Sequence, residues 1–170
     1  MKHRLLLANL ISLATIGSLL LCSNSMASPE NLENPADWQW QIHTSLYTHH
    51  YHYSPDHNDH QRLVNLEFYN PDEWIVGAAL FDNSFDQFSQ YVYVGKAFHP
   101  FDDLPDLHTK VTAGFIHGYS GQYKNKIPFN SEGIAPAILP SIGYSYKRVT
   151  SEIILLGTAG AMLTVGYKFN

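Results

Sequence analysis

The sequence predicts an all-β fold: an eight-stranded, antiparallel, up-and-down transmembrane β-barrel. Three observations predict it, namely alternation of apolar and polar residues, turn signals between strand-length segments and an N-terminal export signal. Successive side chains of a strand point to opposite faces, so alternation indicates one apolar and one polar face. Closure of the sheet pairs every backbone amide, as a membrane requires, and eight strands make the smallest common membrane barrel.

The export signal lies in residues 1–27. Lys2 and Arg4 precede an apolar run over residues 5–21, and residues 25–27 are the small-x-small sequence typical of a cleavage site. A membrane anchor is the alternative interpretation of this run, and the cleavage site favours the signal. We therefore divide the chain into a signal, a short N-terminal segment and one barrel domain: residues 1–27, 28–37 and 38–170.

Composition limits the chemistry and the partners. The only cysteine, Cys22, lies in the signal, so the exported chain has no disulfide and no thiolate chemistry. Without residues 1–27, 8 Lys and Arg residues remain against 15 Asp and Glu residues, which gives a net charge of −7. This acidic excess argues against nucleic acid as a partner. We also expect a monomer that needs no cofactor and no metal.

Eight segments have strand-like patterns. They cover residues 38–47, 62–69, 74–81, 88–98, 107–117, 136–147, 151–156 and 161–169. The last segment alternates strictly, with Ala161, Leu163, Val165, Tyr167 and Phe169 on one face. Parity alone does not say which face points inward. The export signal, the missing disulfides and the aromatic final strand favour a membrane barrel whose apolar face points outward.

The first strand and the strand ends fit the same prediction. Gln39, Gln41, His43, Ser45 and Tyr47 alternate with apolar or small residues and are expected to share the inner face. Aromatic residues at strand ends are typical of the girdles at the membrane interfaces. These are Trp38, Trp40, Tyr47, Phe68, Trp74, Tyr167 and Phe169.

Counting strands from an N-terminus in the periplasm gives the topology. The four outer connections are residues 48–61, 82–87, 118–135 and 157–160, and the inner turns are residues 70–72, 99–106 and 147–150. Asn70-Pro71-Asp72 is a strong turn signal. A histidine-rich connection, 48–61, and a connection that contains Asn83-Ser84 therefore share the outer rim.

The rim residues leave several functions open. Histidines 43, 49, 50, 52, 57 and 60 fall within eighteen residues. Histidine is a base near neutral pH and a common metal ligand, so the connection is a solvated polar loop, a source of a catalytic base or a zinc site. The zinc alternative would use His57 and His60 with Asp56 or Asp59. Ser84 needs a base to act as a nucleophile, and His50 is close by topology, although Asn83-Ser84 also suits a simple turn.

The sequence resembles the outer-membrane lipid A palmitoyltransferase family (PagP) over roughly residues 44–169. In that family the second outer loop reads aromatic-Lys-Asp-Ser-Trp-x-x-Trp, and residues 81–88, FDNSFDQF, fit it without a gap. Residues 93–95, YVG, stand where the family has Gly-aromatic-Gly. Segments 112–114, 127–128, 136–140 and 143–144 match the family in order. Departures are Asn83 at the family's aspartate, a short N-terminal segment and Asn170 after Phe169.

The resemblance implies an acyltransferase that moves a palmitoyl chain from a phospholipid donor to a hydroxyl of lipid A. It would act among the lipids of the outer membrane of a Gram-negative bacterium. The family's catalytic residues fall on Ser84, on Asn83 and on His50, with His49 as the alternative to His50. A non-catalytic structural or lipid-binding barrel is the competing hypothesis. A lipid A deacylase is a third, and its late His-x-Ser motif is absent from this sequence.

Substrate contacts follow from the same resemblance. Gly95 falls where the family measures acyl length, and its parity with Tyr93 predicts that both face the interior. Lys124 and Lys126, in the third outer connection, are expected to contact anionic lipid headgroups. Strand-breaking prolines 128, 136 and 140 are expected to open lateral gaps in the wall through which lipid enters.

Overall fold

The structure is a computed structural model that describes residues 37–52, 54, 57, 58 and 60–169. The predicted signal, most of segment 28–37, Asp56 and Asp59 lie outside the described residues. The strands are β1 (Gln39–His50), β2 (Leu63–Tyr69), β3 (Trp74–Asp82), β4 (Phe88–Phe98), β5 (Leu107–His117), β6 (Ile134–Tyr146), β7 (Val149–Leu155) and β8 (Gly160–Lys168). A 3-10 helix, Gly121–Lys126, lies between β5 and β6.

The eight strands form one closed barrel in sequence order, and every neighbouring pair is antiparallel. This confirms the predicted fold class. We call the end of the barrel that carries connections 51–62, 83–87, 118–133 and 156–159 the rim, and the opposite end the inner end. In the described part of the chain, no helix is long and apolar enough to cross a membrane.

The wall has an apolar outer face and a polar inner face. In β8, Met162 and Thr164 are buried while Tyr167 is 41% exposed, as the alternation predicted. The exposed apolar side chains around the wall include Val64, Val94, Val111, Phe115, Ile138, Ile142 and Ile153. The buried set includes glutamate, lysine, histidine and glutamine side chains. A soluble barrel has the reverse arrangement, because water outside favours polar residues there.

A β-bulge in β1 changes the predicted orientation of one residue. The register between β1 and β8 shifts between Ser45 and Tyr47, so that Tyr47 is 48% exposed and Thr48 is fully buried. The prediction that Tyr47 shares the inner face with His43 is therefore wrong. A bulge inserts an extra residue and re-aims the side chains that follow it. It brings Thr48, and two residues later His50, to the inner face.

The middle of the barrel contains a charged layer, which we define as Glu67, Lys110, Glu152, His43 and His108. Lys110 Nζ lies 2.8 Å from Glu67 Oε1 and 2.8 Å from Glu152 Oε2. Each carboxylate also has a histidine nearby, with His43 Nε2 at 3.5 Å from Glu67 and His108 Nε2 at 3.4 Å from Glu152. All five side chains are buried. The layer joins β1, β2, β5 and β7 across the interior.

Between the charged layer and the rim, the interior is mostly apolar. Leu63, Ala79, Tyr91, Ile116 and Met162 form its buried core. Partly buried side chains pack against this core, among them Phe81, Tyr119, Ala137, Leu139 and Leu156. The barrel interior therefore changes from apolar to ionic with depth.

The wall is incompletely paired at two places near the rim. Described pairing between β1 and β2 ends at Thr44↔Val64, although β1 continues to His50. Described pairing between β6 and β7 ends at Ser141↔Ile154, although β6 begins at Ile134. We call these the β1–β2 opening and the β6–β7 opening.

Two prolines lie at the β6–β7 opening. The Ser145 amide donates to the carbonyl of Asp106 on the β5 side, so alternation turns the amides of even-numbered β6 residues toward β7. Pro136 and Pro140 occupy two of these positions where β7 is missing. Proline has no amide hydrogen, so neither position leaves a donor without a partner. This agrees with the predicted role of both prolines in opening the wall.

Candidate active site at the rim

Ser84 and His50 meet at the rim, and we call them the rim pair. Ser84 Oγ lies 2.9 Å from His50 Nε2, which is hydrogen-bonding distance. His50 is the last residue of β1 rather than part of a loop as predicted, because β1 stays paired with β8 as far as His50↔Gly160. A Cβ on Gly160 would lie 2.1 Å from the carbonyl oxygen of His49, so glycine is required for this close approach.

Gln61 is a second partner of Ser84 and was not predicted. Its Nε2 donates to Ser84 Oγ at 2.9 Å, and its Oε1 accepts from Thr48 Oγ1 at 3.1 Å. The Ser45 hydroxyl donates to the Gln61 carbonyl. Gln61 is only 7% exposed, and Ser45 before the bulge and Thr48 after it hold Gln61 in one orientation. The sequence did contain a signal for Gln61. Gln61, Leu63 and Asn65 are two positions apart, so their side chains are expected on the same face.

Tyr119 is the third partner of Ser84. Burial raises the pKa of the Tyr119 hydroxyl, and its hydrogen bond with Ser84 acts in the opposite direction. Tyr119 follows β5 in the third connection, and the fold of that connection brings it to the site. No pattern in the sequence predicted this contact.

An aromatic cluster covers the rim pair. The His57 ring packs on the His50 ring at 4.3 Å and meets the edge of Phe85 at 5.4 Å. Phe85 stacks on Tyr123 at 4.2 Å, with the planes 12° apart. The second and third connections therefore close over Ser84, which is 8% exposed.

Asn83 shapes the loop that presents Ser84. Its Oδ1 accepts from the amides of Phe85 and Gln87 at 2.9 and 3.1 Å, and its Nδ2 donates to Ser89 Oγ at 3.1 Å. These hydrogen bonds stabilise a tight loop in which Asp86 adopts a positive φ of 57°. Asn83 is 1% exposed, and its side-chain hydrogen bonds to described residues join it to its own loop and to β4 rather than to His50. A direct catalytic role for Asn83 stays a prediction.

The two predicted lysines lie in the helix of the third connection. Lys124 and Lys126 are exposed and occupy its last turn. Lys126 Nζ lies 5.7 Å from the centre of the Phe85 ring, one residue from Ser84. A positive charge therefore stands beside the rim pair on the outer side.

Gly95 and Tyr93 both face the interior, as their parity predicted. Tyr93, however, lies next to the charged layer. Its hydroxyl oxygen is 2.6 Å from Glu67 Oε1 and 2.8 Å from Asn65 Oδ1, and it donates its proton between these two acceptors. Gly95 lies beyond Tyr93 toward the inner end. Tyr93 and Glu67 therefore lie between Gly95 and the rim, and the expectation that Gly95 measures acyl length stays a prediction.

One group of described residues has the geometry of a metal site: His43, Glu67 and Glu152, whose ligand atoms lie within 4.8 Å of one another. The Lys110 ammonium already lies between the two carboxylates and supplies a positive charge there. The predicted alternative at His57 and His60 depends on aspartates outside the described residues. His57 packs on His50.

A groove of about 490 Å³ lies at the β1–β2 opening, beside the rim pair. Its apolar lining includes Leu46, Leu63, Val64, Leu80, Phe81 and Phe88. Its polar lining includes Ser45, His60, Gln61, Arg62 and Asp82, with Arg62 Nε 2.8 Å from Asp82 Oδ2. Gln61 thus touches the groove on one side and Ser84 on the other.

Comparison with known proteins adds a likeness of overall architecture. One solved structure with a similar arrangement is the outer membrane protein Ail of Yersinia pestis, determined in a phospholipid bilayer nanodisc. The likeness covers 77% of this chain and 99% of that chain, with 14% sequence identity and a TM-score of 0.38. No protein-family model and no curated protein matches the sequence.

Proposed function

We propose that this protein is an outer-membrane acyltransferase that moves an acyl chain from a phospholipid to a hydroxyl of lipid A. The observation that carries the proposal is the 2.9 Å contact between His50 Nε2 and Ser84 Oγ at the rim. The resemblance predicted these two residues as catalytic from sequence alone. Two residues thirty-four positions apart thus form the hydrogen bond that the chemistry requires.

The wall supports a position in a membrane. Its outer face exposes large apolar side chains such as Phe115 at 64% and Ile138 at 69%. Aromatic residues stand near strand ends, where Trp40 stacks on Phe169 at 3.8 Å and Trp74 is 53% exposed. Over the paired length of the wall such a surface is stable in lipid, because neighbouring strands satisfy one another's backbone groups.

The chemistry assigned to the site is general base catalysis. The neutral His50 ring takes the proton of a hydroxyl as that oxygen attacks the donor ester, and returns it to the departing alcohol. A positioned base of this kind typically contributes about 10²–10⁴ in rate. The aromatic cluster of His57, Phe85 and Tyr123 restricts water at the site, which favours transfer to a sugar hydroxyl over hydrolysis.

The openings supply a route for lipid. A donor in the outer leaflet reaches the rim pair through the β1–β2 opening, where Leu63, Val64 and Leu80 provide an apolar wall for its chain. The groove volume of about 490 Å³ is in the range of small-molecule sites. The β6–β7 opening gives a second path on another side of the barrel for the acceptor.

The lysines of the third connection suit the acceptor. Lipid A is anionic, and an ammonium on a flexible stem is a suitable partner for phosphate. Lys124 and Lys126 lie on the outer side of the rim, where the headgroup of a bound lipid would be. They would orient the acceptor with its hydroxyl toward His50.

The donor chain is palmitoyl in the family that the sequence resembles, and we propose the same class of donor. The chain would lie against the groove wall rather than reach Gly95, because Tyr93 and Glu67 close the interior above Gly95. Each methylene that leaves water for the groove contributes about 0.8 kcal/mol. The groove thus favours a long chain over a short one.

Mass spectrometry of lipid A from cells with and without the gene tests the proposal. The expected result is a lipid A species heavier by one palmitoyl group only when the gene is present, and its loss in a Ser84→Ala variant. An unchanged lipid A profile in cells that contain the folded barrel would favour the non-catalytic barrel. A lighter species would instead indicate a deacylase.

A further inference from the structure

The rim site contains more than a serine and a histidine, and its hydrogen bonds have a direction. A serine hydroxyl has one proton to donate and two lone pairs to accept with. Gln61 Nε2 is a donor only, so Ser84 Oγ must accept from it.

Gln61 thus occupies one lone pair of Ser84 Oγ, and Thr48 fixes the orientation of its amide. The serine proton can then be donated to His50 Nε2, at 2.9 Å, when the imidazole carries its own proton on Nδ1. A neutral histidine accepts at one ring nitrogen, so this arrangement gives the imidazole the acceptor role at Nε2. This is the proton arrangement of an activated nucleophile before attack.

We propose that Ser84 is the nucleophile of a covalent acyl-enzyme, and that Gln61 is a positioning residue that directs its proton to His50. The inference rests on the proposed function and adds to it the identity of the first attacking hydroxyl. It also gives a role to Gln61, whose orientation depends on Thr48 and hence on the bulge in β1.

The reaction balances in two steps. Ser84 Oγ attacks the donor ester carbonyl, its proton passes to His50 Nε2, and the lysophospholipid alcohol leaves with that proton. The acyl chain is now an ester of Ser84. The lipid A hydroxyl then attacks this ester, His50 takes the hydroxyl proton, and the proton returns to Ser84 Oγ as the acylated acceptor leaves.

The groove places Gln61 where the two-step reaction needs it. Gln61 lines the groove in which the donor would lie, and its amide contacts the attacking oxygen. A donor ester at the end of the groove therefore meets Ser84 from the side of Gln61. The acceptor approaches from the outer side, beside Lys126 and Phe85.

The first experiment incubates the purified mature barrel, in detergent, with a long-chain alkyl fluorophosphonate. Ser84 Oγ is expected to displace fluoride, which adds the alkylphosphonyl group to the protein, and peptide mapping should locate it on Ser84. Ser84→Ala and His50→Ala should not be labelled. Labelling elsewhere, or equal labelling of the His50→Ala variant, would overturn the nucleophile assignment.

The second experiment separates positioning from structure. Gln61→Met keeps the side-chain length and removes the donor, and Gln122→Met, at an exposed position of the helix, is the matched control. The maximal labelling rate should fall about tenfold in Gln61→Met, as for loss of about 1.4 kcal/mol of hydrogen bonding at the reacting oxygen. The probe concentration that gives half the maximal rate should not change. The urea midpoint should fall modestly, because the buried Thr48 hydroxyl loses its acceptor, so labelling is measured well below that midpoint. An unchanged maximal rate would remove Gln61 from the mechanism.

The third experiment distinguishes this inference from the proposed function. Incubation with phospholipid and no lipid A should add one acyl group to Ser84, and later addition of lipid A should remove it. Acyl transfer with no acyl-serine at any time would overturn the covalent step and leave the function standing. Labelled Ser84 with no acyl transfer to lipid A would support the nucleophile and overturn the function.

Discussion

Two buried polar networks lie at different depths of this barrel, and they differ in charge and in how close they lie to the outer groove. In the charged layer, the Lys110 ammonium lies between Glu67 and Glu152, and each carboxylate has further hydrogen-bond donors. At the rim, neutral groups converge on one hydroxyl, Ser84 Oγ, next to a groove that opens to the outside.

The comparison separates structural from chemical roles. The network of ion pairs connects strands across the interior, deeper in the barrel than the groove. The rim network converges on one oxygen beside a groove of about 490 Å³, so that this oxygen and its base can meet a lipid bound there. We therefore assign stability to the charged layer and chemistry to the rim.

The largest effect is expected for His50→Ala. Acyl transfer should fall by about 10²–10⁴, because the base that takes the proton is lost. Rates measured in vesicles of phospholipid and lipid A check this. His57→Ala, which removes a ring packed on His50 at 4.3 Å, is the control and should retain most activity. A larger loss in His57→Ala than in His50→Ala would move the base to His57.

Substitutions in the charged layer should change the free energy of unfolding rather than the rate of acyl transfer. Lys110→Met leaves two carboxylates buried without their cation, so the free energy of unfolding should fall by about 3–5 kcal/mol. Urea unfolding of the barrel in vesicles measures this. Adding Glu67→Gln and Glu152→Gln removes the unpaired charges and should recover most of the loss. An unchanged free energy of unfolding in Lys110→Met alone would mean that the ion pairs do not stabilise the barrel.

Gly95→Met tests which part of the barrel holds the donor chain. A Cβ at Gly95 would lie 2.7 Å from the Val111 carbonyl oxygen and 2.9 Å from Thr112, so the variant should lose about 1–3 kcal/mol of stability. Because Tyr93 and Glu67 lie between Gly95 and the rim, the preferred donor length should not change. Assays with donors of graded length decide this. A shift to shorter donors would instead place the chain in the interior, as the family resemblance implies.

The smallest effect is expected for Asn83→Asp, which introduces the aspartate of the family. The Oδ1 contacts to the loop amides persist, while the Nδ2 donation to Ser89 is lost. Stability should fall by about 0.5–1.5 kcal/mol, with activity retained to within about tenfold. A strong gain in transfer rate would show that the loop contacts conceal a catalytic role at this position.

Much of the fold could be predicted because strand alternation is a local property. The alternation of apolar and polar residues predicted the bounds of β4 and β5, residues 88–98 and 107–117. The turn signal Asn70-Pro71-Asp72 predicted the first inner turn. The bulge in β1 could not be predicted, because an extra residue leaves no mark in composition. This bulge reversed Tyr47 and brought Thr48 and His50 to the inner face, while continued pairing with β8 extended β1 to His50.

The site was predicted in part for similar reasons. Ser84 and His50 came from the family resemblance, and strand counting placed both at the rim. Tyr119 depends on how a long connection folds back, which sequence patterns do not specify. Glu67, Lys110 and Glu152 had a signal that was not used, namely charged residues at inward parity of three strands. Their pairing required knowing which strands face each other.

A paired measurement of transfer rate and unfolding on two variants tests the division between rim and charged layer. The variants are Ser84→Ala and the combined Lys110→Met, Glu67→Gln, Glu152→Gln chain, each reconstituted in the same vesicles. Ser84→Ala should lose acyl transfer with an unchanged unfolding midpoint, and the combined variant should keep transfer per folded barrel. Normal transfer by a folded Ser84→Ala barrel would contradict the assignment of chemistry to the rim.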